Sequence, residues 1–322
     1  ATPGRLNDHL DKQNFAASDV RWLVIDEFDK CLRMGFRAEM EKAVDGLPTV
    51  ERRILLSATD AEEMPRFVRM GRTERVDYLD EEETTPDRIG LYVVHSPEKD
   101  KLNTLDMLLR DFGAQQTIVF LNYRDGVERT AKFLTEKGYV VSAFHGGLDQ
   151  RQREEAIYRF ANRSANILVS TDLASRGLDI PDVENIVHYN LPVGEEEFVH
   201  RVGRTGRWDA TGRAFMLLGP EEHMPEYVTV PTEDYVPANP TAPVAMPVMS
   251  TLYIGKKDKI SKGDILGFLC KTCSLSSSDI GRIDVYERFA YVAVSRKLAK
   301  KTMEKAKGAK IKGLKTVVEL AF

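Results

Sequence analysis

Short apolar runs that end in polar residues recur along the first part of the chain. Residues 22–25 form an apolar run followed by carboxylates, and residues 53–59 repeat this shape with small hydroxyl residues at the end. Such runs are typical of buried parallel strands, whose carboxyl ends meet at one edge of a sheet. Residues 81–86 are polar and include a proline, which indicates a linker. We therefore expect an α/β block over residues 1–77 and a linker over 78–90.

A second block of the same kind follows the linker. Its apolar runs predict strands, and segments with helical spacing separate them. The predicted strands cover 117–121, 140–144, 165–170 and 185–189, and the predicted helices cover 126–134 and 152–160. Strands that alternate with helices form a parallel sheet with ligands at its carboxyl edge. We expect one such domain over residues 91–218.

The pattern changes twice more towards the end of the chain. Seven of the fourteen prolines lie in residues 219–248, which predicts an extended, semi-rigid linker that sets the reach of the domain after it. Residues 249–322 then predict a small βαββαβ domain. Its strands cover 251–254, 280–285, 289–294 and 316–320, and its helices cover 262–270, with Ser261 as N-cap, and 297–306. This order is the split βαβ sandwich that RNA-recognition motifs use.

Charge separates this last domain from the rest. Residues 249–322 contain 16 Lys and Arg against 7 Asp and Glu, whereas the remainder contains 30 against 43. A basic domain on an acidic body indicates a polyanionic partner, the alternative being a solvated surface with an accidental bias.

The composition excludes membrane-spanning proteins and small proteins stabilised by disulfide bonds. No apolar run approaches the ~18 residues of a membrane-spanning helix, and no signal peptide is visible, so we expect a cytoplasmic protein without a membrane partner. The three cysteines form no disulfide framework. A zinc site would need a second cysteine pair, so Cys270 and Cys273 are expected to be reduced core residues on one helix.

Three polar strings carry candidate chemistry. In D-E-F-D at 26–29, Asp26 would hold Mg²⁺, mainly through water, and Glu27 would orient or deprotonate the attacking water. The alternative is a helix-capping carboxylate cluster. Thr171, Asp172, Arg176 and Asp179 follow the predicted strand 165–170, with Gly177 permitting a tight turn.

The third string is H-R-V-G-R-T-G-R at 200–207. Arginine forks bind phosphate or carboxylate, and no carboxylate lies inside the string to pair its three arginines. They therefore repel one another unless an anion arrives, although a structural arginine cluster is the alternative. No G-x-x-x-x-G-K-S/T phosphate loop occurs in the chain.

Taken in order, these strings resemble the motifs of the DEAD-box RNA helicases. The resemblance covers residues 1 to about 218 and rests on T-P-G-R at 2–5, D-E-F-D at 26–29, S-A-T at 57–59, residues 171–179 and residues 200–207, with F-H-G-G at 144–147 and Q-R-Q-R at 150–153 in support. His200 favours the RNA branch over related DNA helicases. The resemblance implies an α/β chain with a partial first RecA-like domain, a complete second RecA-like parallel-sheet domain, and ATP in the cleft between them.

The resemblance also implies residue roles. Catalysis would use Asp26, Glu27, His200, Arg204 and Arg207. Coupling of hydrolysis to domain closure would use Asp29, Ser57, Thr59 and His200. ATP would be bound by Gly177, Asp179, Arg204 and Arg207. RNA would be bound by Thr2, Gly4, Arg5, Gly147, Gln150, Arg153, Thr171 and Asp172.

Two departures from the family pattern matter. Phe28 stands where the family usually has alanine, so we expect local repacking with both carboxylates retained. The family's adenine-reading segment and phosphate loop precede the first motif seen here. The resemblance therefore implies that these residues alone do not hydrolyse ATP, whereas a full-length parent does.

The last domain resembles the DbpA-type RNA-binding domain, through segments 255–268, 280–285, 291–295 and 310–315. That resemblance implies a structured RNA partner, ribosomal RNA in particular. Phosphate charge would come from Lys256, Lys257, Lys259, Lys310, Lys312 and Lys315. Tyr286, Phe289 and Tyr291 are candidates for base stacking or for the core, and the last two share one strand face. An ordinary RNA-recognition sheet carries a clearer aromatic pair, so the lysines are the alternative binding face.

These patterns together predict a monomeric, ATP- and Mg²⁺-dependent RNA helicase that remodels structured RNA. The alternative is a non-catalytic RNA-binding or RNA-clamping protein, if the chain is the whole product.

Overall fold

The computed structural model describes residues 1–33, 35–57, 66–76, 88–175, 180, 183–206, 211–255 and 260–321. The chain divides into two units, Ala1–Glu83 and Thr84–Phe322. Each unit has an apolar core of its own.

The described part of the first unit contains two parallel strands and three α-helices. The elements are α1 (Pro3–Asp11), β1 (Trp22–Ile25), α2 (Phe28–Arg33), α3 (Arg37–Asp45) and β2 (Arg52–Leu55). Strands β1 and β2 pair in parallel, with Trp22 opposite Arg52 and Ile25 opposite Leu55. The first strand matches its predicted bounds, whereas the second stops at Leu55, short of the predicted residue 59.

These two strands are not buried on both faces, so that part of the prediction is wrong. Successive side chains of a strand point to opposite faces, and burial alternates along both strands. Trp22 and Val24 are 56% and 54% exposed. One face of the pair therefore packs on the core and the other meets solvent, where the Arg52 guanidinium lies 4.9 Å from the centre of the Trp22 ring.

Phe28 occupies the core of the first unit. Its side chain is 1% exposed and packs with Met40, Phe67 and Val68. Its amide donates a hydrogen bond to the Leu56 carbonyl at 3.0 Å. The aromatic ring at this position is therefore accommodated inside the unit.

The second unit begins with a parallel α/β domain. Its elements are β3 (Ile89–His95), α4 (Leu102–Phe112), β4 (Thr117–Phe120), α5 (Arg124–Glu136), β5 (Val141–Phe144), α6 (Gln150–Ala161), β6 (Ile167–Ser170), β7 (Asn185–His188), α7 (Glu195–Val202), β8 (Gly212–Leu218) and β9 (Glu233–Asp234). The sheet order is β5-β6-β4-β7-β8-β3-β9, and every neighbouring pair is parallel. The predicted parallel sheet is confirmed, and β3, α4, α7 and β8 are elements that the sequence patterns did not single out.

Helices cover both faces of this sheet. Val119 and Leu121 belong to the core under α4 and α5. Ile118 and Phe120 belong to the core under α6 and α7. Because alternate residues of one strand fill opposite cores, β4 has to be apolar throughout, which is why it appears in the sequence as a continuous apolar run.

Residues 219–248 do not form a tether that stands away from the domain, which corrects the interpretation drawn from their prolines. Strand β9 pairs with β3 at the sheet edge. The Tyr235 hydroxyl donates to Asp111 Oδ2 at 2.6 Å, and Arg110 Nη1 donates to the Ala242 carbonyl at 2.7 Å. Tyr227 packs against the core on the other side of the sheet. Proline makes the segment extended, but its aromatic side chains hold it along the domain surface.

The C-terminal domain confirms the βαββαβ order and adds a small hairpin. Its elements are β10 (Met249–Gly255), α8 (Lys262–Lys271), β11 (Ile280–Val285), β12 (Phe289–Ser295), α9 (Arg296–Ala306), β13 (Lys310–Ile311), β14 (Leu314–Lys315) and β15 (Val318–Leu320). The antiparallel sheet has the order β11-β12-β10-β15, and β13 pairs with β14. Ser261 caps α8 as predicted, accepting the Asp264 amide at 3.3 Å.

The cysteine prediction is partly confirmed. Cys31, Cys270 and Cys273 form no disulfide bonds. Helix α8 ends at Lys271, so Cys273 lies beyond it and the two do not share one helix as predicted. Cys273 is 2% exposed, and burial raises the pKa of its thiol. Across the residues that the structure describes, no helix is long and apolar enough to span a bilayer.

Candidate functional site

The carboxylates of the first unit lie directly after strand β1. The Glu27 amide donates to Asp26 Oδ1 at 2.9 Å, and Glu27 has a φ of 49°, in the left-handed region that few residues other than glycine adopt. The buried Phe28 anchors the other end of this turn. As a result Asp26 is exposed and Glu27 is half-buried, whereas the next residue, Phe28, fills the core.

The donor set of this turn suits a hard cation. Asp26 and Glu27 offer carboxylate oxygens, the ligands that Mg²⁺ prefers when water completes its coordination. Within the described residues, no group of three or more His, Cys, Asp or Glu side chains is arranged to hold a metal.

The other predicted residues of the first unit are only partly described. Ser57 follows Leu56, whose amide donates to the Ile25 carbonyl at 2.9 Å, so Ser57 and Asp26 follow neighbouring strands. The Asp29 side chain and all of Thr59 lie outside the described residues. Thr2, Gly4 and Arg5 are exposed at the start of α1, and Arg5 Nη1 lies 3.6 Å from Asp8 Oδ2.

Arg201, the second residue of the string at 200–207, is fully buried. Its Nε donates to Asp172 Oδ1 at 2.5 Å and its Nη2 to Asp172 Oδ2 at 2.9 Å. Nη1 donates to the Asn190 carbonyl at 2.8 Å, and Nη2 also donates to Asn122 Oδ1 at 2.8 Å. The guanidinium lies 5.3 Å from the centre of the Phe120 ring. Carboxylate, amide and ring together stabilise the buried charge.

For Arg201, this pairing corrects the inference that the arginines of the string repel one another unless an anion arrives. The partner of Arg201 comes from outside the string, from Asp172, which was predicted to contact RNA. Asp172 directly follows Thr171, whose amide donates to the Phe144 carbonyl at 3.3 Å. The ion pair therefore joins the loop after β6 to helix α7, and it sets the position from which Arg204 extends.

The rest of the string is shaped by close packing. Gly206 has a φ of 67°, and a Cβ there would come within 2.6 Å of the Ile89 side chain, so only glycine fits. The Thr205 hydroxyl donates to the Val183 carbonyl, and the Arg204 carbonyl accepts the Val183 amide at 3.2 Å. His200 Nε2 lies 3.6 Å from Glu196 Oε1. The predicted residues Gly177, Asp179 and Arg207 lie outside the described residues.

A second ordered turn follows β5. The Gly147 amide donates to His145 Nδ1 at 3.2 Å, and a Cβ at Gly147 would come within 2.6 Å of the Arg124 guanidinium. Arg153 closes the turn by donating to the Leu148 carbonyl at 3.0 Å and the Gly146 carbonyl at 2.8 Å. Burial lowers the pKa of His145, although Glu128 opposes the shift. This turn gives an exposed backbone with a fixed shape, next to the exposed Gln150.

His145 and Arg124 were missed by the sequence analysis. The histidine lies inside the F-H-G-G string, so a signal was present at position 145. Arg124 gave none, because only the fold brings it beside Gly147.

The lysines of the C-terminal domain fall into two kinds. Lys310 and Lys315 are exposed and directly opposite each other across the β13–β14 hairpin. Like charges in that position repel unless an anion lies between them. Lys312 instead pairs with Asp264 at 2.7 Å, and hydrogen bonds from Lys312 and Ser261 lower the pKa of Asp264 to about 2. Lys256, Lys257 and Lys259 lie outside the described residues.

The antiparallel sheet carries an aromatic face that the sequence analysis underestimated. Tyr253 on β10 lies directly opposite Tyr291 on β12. Its ring stacks on that of Phe289, with centroids 5.5 Å apart, and Phe289 in turn stacks on Tyr286 at 4.7 Å. Phe289 and Tyr291 are both half-buried and lie on the sheet face away from the core. Ala290 and Val292, which alternate with them along β12, point into the core. Tyr253 was missed because only the strand register brings it beside the other rings.

One end of this sheet face is docked on the α/β domain. Asn162 Nδ2 donates to Thr251 Oγ1 at 2.8 Å, and the Ser164 hydroxyl lies 2.8 Å from the same oxygen. The Tyr158 ring on α6 lies 5.2 Å from that of Tyr291. Because Thr251 and Tyr253 share a strand face, the docked end and the aromatic cluster belong to one continuous surface.

Comparison with protein families matches the three parts of the chain separately. Residues 1–67 match the DEAD/DEAH box helicase family, residues 100–209 the helicase conserved C-terminal domain, and residues 251–320 the DbpA RNA binding domain.

Curated relatives and solved structures agree with these matches. The chain is 35% identical to the ATP-dependent RNA helicase DbpA of Escherichia coli over 97% of its own length and 70% of that protein. It is 34% identical to the DEAD-box ATP-dependent RNA helicase CshA of Bacillus subtilis, over 69% of its own length and 45% of the relative. The structure of S. cerevisiae Dbp5 bound to RNA and ADP BeF3 aligns with a TM-score of 0.61 and 25% identity, covering 73% of this chain and 64% of that one.

The extent of these matches decides the family. The chain spans most of DbpA but about half of CshA. DbpA is more than 30% identical across nearly the whole chain, and three family matches follow one another in order, so the family is identified. The chain belongs to the DEAD-box ATP-dependent RNA helicase family and carries the RNA-binding domain of its DbpA members.

Proposed function

We propose that this chain supplies the hydrolytic and RNA-binding machinery of an ATP-dependent helicase that remodels structured RNA, ribosomal RNA in particular. One observation carries the proposal. In both units, polar motif residues follow the carboxyl ends of parallel strands, Asp26 after β1 and Asp172 after β6. That is where ligands bind in sheets of this type. DbpA, a 35% identical relative, is named an ATP-dependent RNA helicase.

The first unit would supply the hydrolytic carboxylates. Asp26 would hold Mg²⁺ through water, and Glu27 would orient the attacking water and accept its proton. The bound ion would neutralise charge on the phosphates. The left-handed backbone at Glu27 supports this role, because strained conformations persist where the surroundings enforce them. Asp29, Ser57 and Thr59 would transmit the state of this site to the rest of the protein.

The second unit would supply the positive charge for phosphoryl transfer. Arg204 and Arg207 would contact the γ-phosphate, Gly177 and Asp179 the nucleotide sugar, and His200 the coupling network. The buried Arg201–Asp172 pair supports this assignment, since it orients the string without using Arg204. Positioned arginines of this kind contribute ~10³–10⁵ to phosphoryl-transfer rates.

RNA would be bound through its backbone by the helicase domains. Thr2, Gly4, Arg5, Gly147, Gln150, Arg153, Thr171 and Asp172 are the proposed contacts. The exposed, ordered turn at Gly147 supports a phosphate contact, because the Arg124 guanidinium lies directly beside its exposed backbone. Asp172 would act through its backbone or by positioning Arg201, since its carboxylate holds that arginine.

The C-terminal domain would add affinity for a structured RNA. Exposed Lys310 and Lys315 are the leading phosphate contacts, with Lys256, Lys257 and Lys259 proposed beside them. Lys312 is proposed to act mainly through its pair with Asp264. We further propose a monomer that works in the cytoplasm.

RNA-stimulated ATP hydrolysis tests this proposal. The 322 residues contain no phosphate-loop string, so the assay uses a chimera in which the ATP-binding segment of E. coli DbpA precedes residue 1. We expect RNA, but not DNA, to stimulate turnover. Glu27→Gln should abolish turnover, and Arg204→Gln should lower it about a thousandfold. The exposed Glu226→Gln is the control.

Three outcomes would count against the proposal. Turnover that survives Glu27→Gln would remove the proposed base. RNA-stimulated turnover by residues 1–322 alone would show that a phosphate loop is not needed. RNA binding without turnover in the chimera would favour a non-catalytic RNA clamp.

A further inference from the structure

A cleft of about 430 Å³ lies between helix α6 and the aromatic face of the C-terminal sheet. Its walls include Gln150, Arg153, Glu154 and Tyr158 of the α/β domain and Arg282 and Tyr286 of the C-terminal domain. The volume falls in the range of roughly 300–1,000 Å³ found for small-molecule pockets. A planar group the size of a nucleobase therefore fits.

The walls offer flat surfaces to such a group. Tyr286 is 44% exposed, and its ring lies at 24° to that of Phe289, with centroids 4.7 Å apart. Across the cleft, the Arg282 guanidinium lies 5.7 Å from the centre of the Tyr158 ring. Stacked aromatic rings with one exposed member are platforms on which bases of single-stranded RNA stack.

The charged residues that line the cleft are Arg153, Glu154 and Arg282. Arg282 Nε pairs with Asp284 Oδ2 at 2.6 Å, and Gln150 Nε2 donates to Glu154 Oε1 at 2.8 Å. Both arginines already have partners, Asp284 for Arg282 and two backbone carbonyls for Arg153, whereas the Tyr286 ring is 44% exposed. The cleft therefore favours a planar base stacked on that ring.

The cleft continues the surface already proposed for RNA. Gln150 and Arg153 line it, and they are also proposed backbone contacts of the helicase domain. A single strand that runs over the Gly147 turn and these two residues reaches Tyr286 next.

We infer that this cleft binds an unpaired nucleobase of the RNA strand held by the second helicase domain, stacking it on Tyr286. The inference rests on the proposed RNA-binding function and adds a site shared by the helicase and C-terminal domains. Such a site reads single-stranded RNA at the point where it leaves the helicase surface.

Binding of a single-stranded oligoadenylate with one fluorescent 2-aminopurine tests the site on the 322-residue chain. Stacking on an aromatic side chain is worth ~1–3 kcal/mol, so Tyr286→Leu should weaken binding about fivefold or more and remove the quenching of 2-aminopurine. Tyr286→Phe, which keeps the ring, should behave as wild type. Because Tyr286 is partly exposed, neither change should unfold the domain, and thermal unfolding checks this.

A measurement without mutation accompanies the first. The same RNA carrying 5-iodouridine is cross-linked to the wild-type chain by light, and the adducts are located by mass spectrometry. We expect an adduct at Tyr286. Adducts elsewhere only, with unchanged affinity for Tyr286→Leu, would overturn the inference and leave the proposed function intact. Failure of the wild-type chain to bind this RNA would overturn both.

Discussion

Arg201 illustrates how one buried side chain organises the candidate site. Its guanidinium makes two bonds to Asp172 and two to other partners, with no exposure to water. A lysine ammonium keeps the charge but cannot donate the two parallel hydrogen bonds that the guanidinium makes to the carboxylate. We therefore expect Arg201→Lys to lower the free energy of unfolding of the second unit by about 1–3 kcal/mol, because it leaves buried acceptors of the guanidinium without a donor. Urea unfolding measures this, with the exposed Arg288→Lys as control, and equal stability of the two variants would contradict it.

The histidines predict how stability varies with pH. His188 is fully buried, and burial together with the charge of Arg201 holds its pKa well below the ordinary value of 6.5. Burial also lowers the pKa of His145. The unfolded chain therefore takes up these protons first, so stability is complete above about pH 6.5 and is lost as the pH falls further. The slope from His188 should reach ~1.4 kcal/mol per pH unit, and His145 contributes a smaller slope of the same sign.

His188→Leu should remove the larger part of that slope between pH 6.5 and 5. Unfolding free energies measured by urea titration at several pH values test this, with the exposed His223→Leu as the matched control. A wild-type slope retained in His188→Leu would contradict the assignment.

At the scale of elements, the lysines of the β13–β14 hairpin are expected to have two different roles, RNA binding and stabilisation of the domain. Replacing Lys310 and Lys315 by glutamine should reduce the slope of log affinity for RNA against log salt by roughly 0.7–0.9 per lysine, without loss of stability. Lys312→Gln should instead destabilise the domain, because it removes the partner of the Asp264 carboxylate. Lys300→Gln with Lys301→Gln, exposed on α9, is the control pair. Equal effects of all lysines on the salt slope would contradict this division.

The same scale shows how much the sequence could predict. The apolar run of β4 is a local signal, so it correctly predicted a strand of the parallel sheet. The Arg201–Asp172 pair joins residues 29 positions apart, and Tyr253 meets Phe289 only through strand register. Residues 219–248 have a proline composition typical of linkers, yet Tyr227 and Tyr235 dock them. Contacts that depend on tertiary packing left no local signal.

At the scale of the whole molecule, the second unit combines a helicase domain with an RNA-binding domain through direct contacts. The docked segment 219–248 and the bonds of Thr251 hold the C-terminal sheet against α6. A structured RNA bound at Lys310 and Lys315 and a single strand bound near Gln150 would therefore be held by one body. This arrangement differs from a flexible tether, which would contribute only effective concentration.

The most direct test of the account is strand separation of a short RNA duplex that adjoins a hairpin, measured with the DbpA chimera. We predict separation that requires ATP, is abolished by Glu27→Gln and slows when Lys310 and Lys315 are both replaced by glutamine. Tight RNA binding with no ATP-dependent separation would contradict the helicase account and leave an RNA clamp in its place.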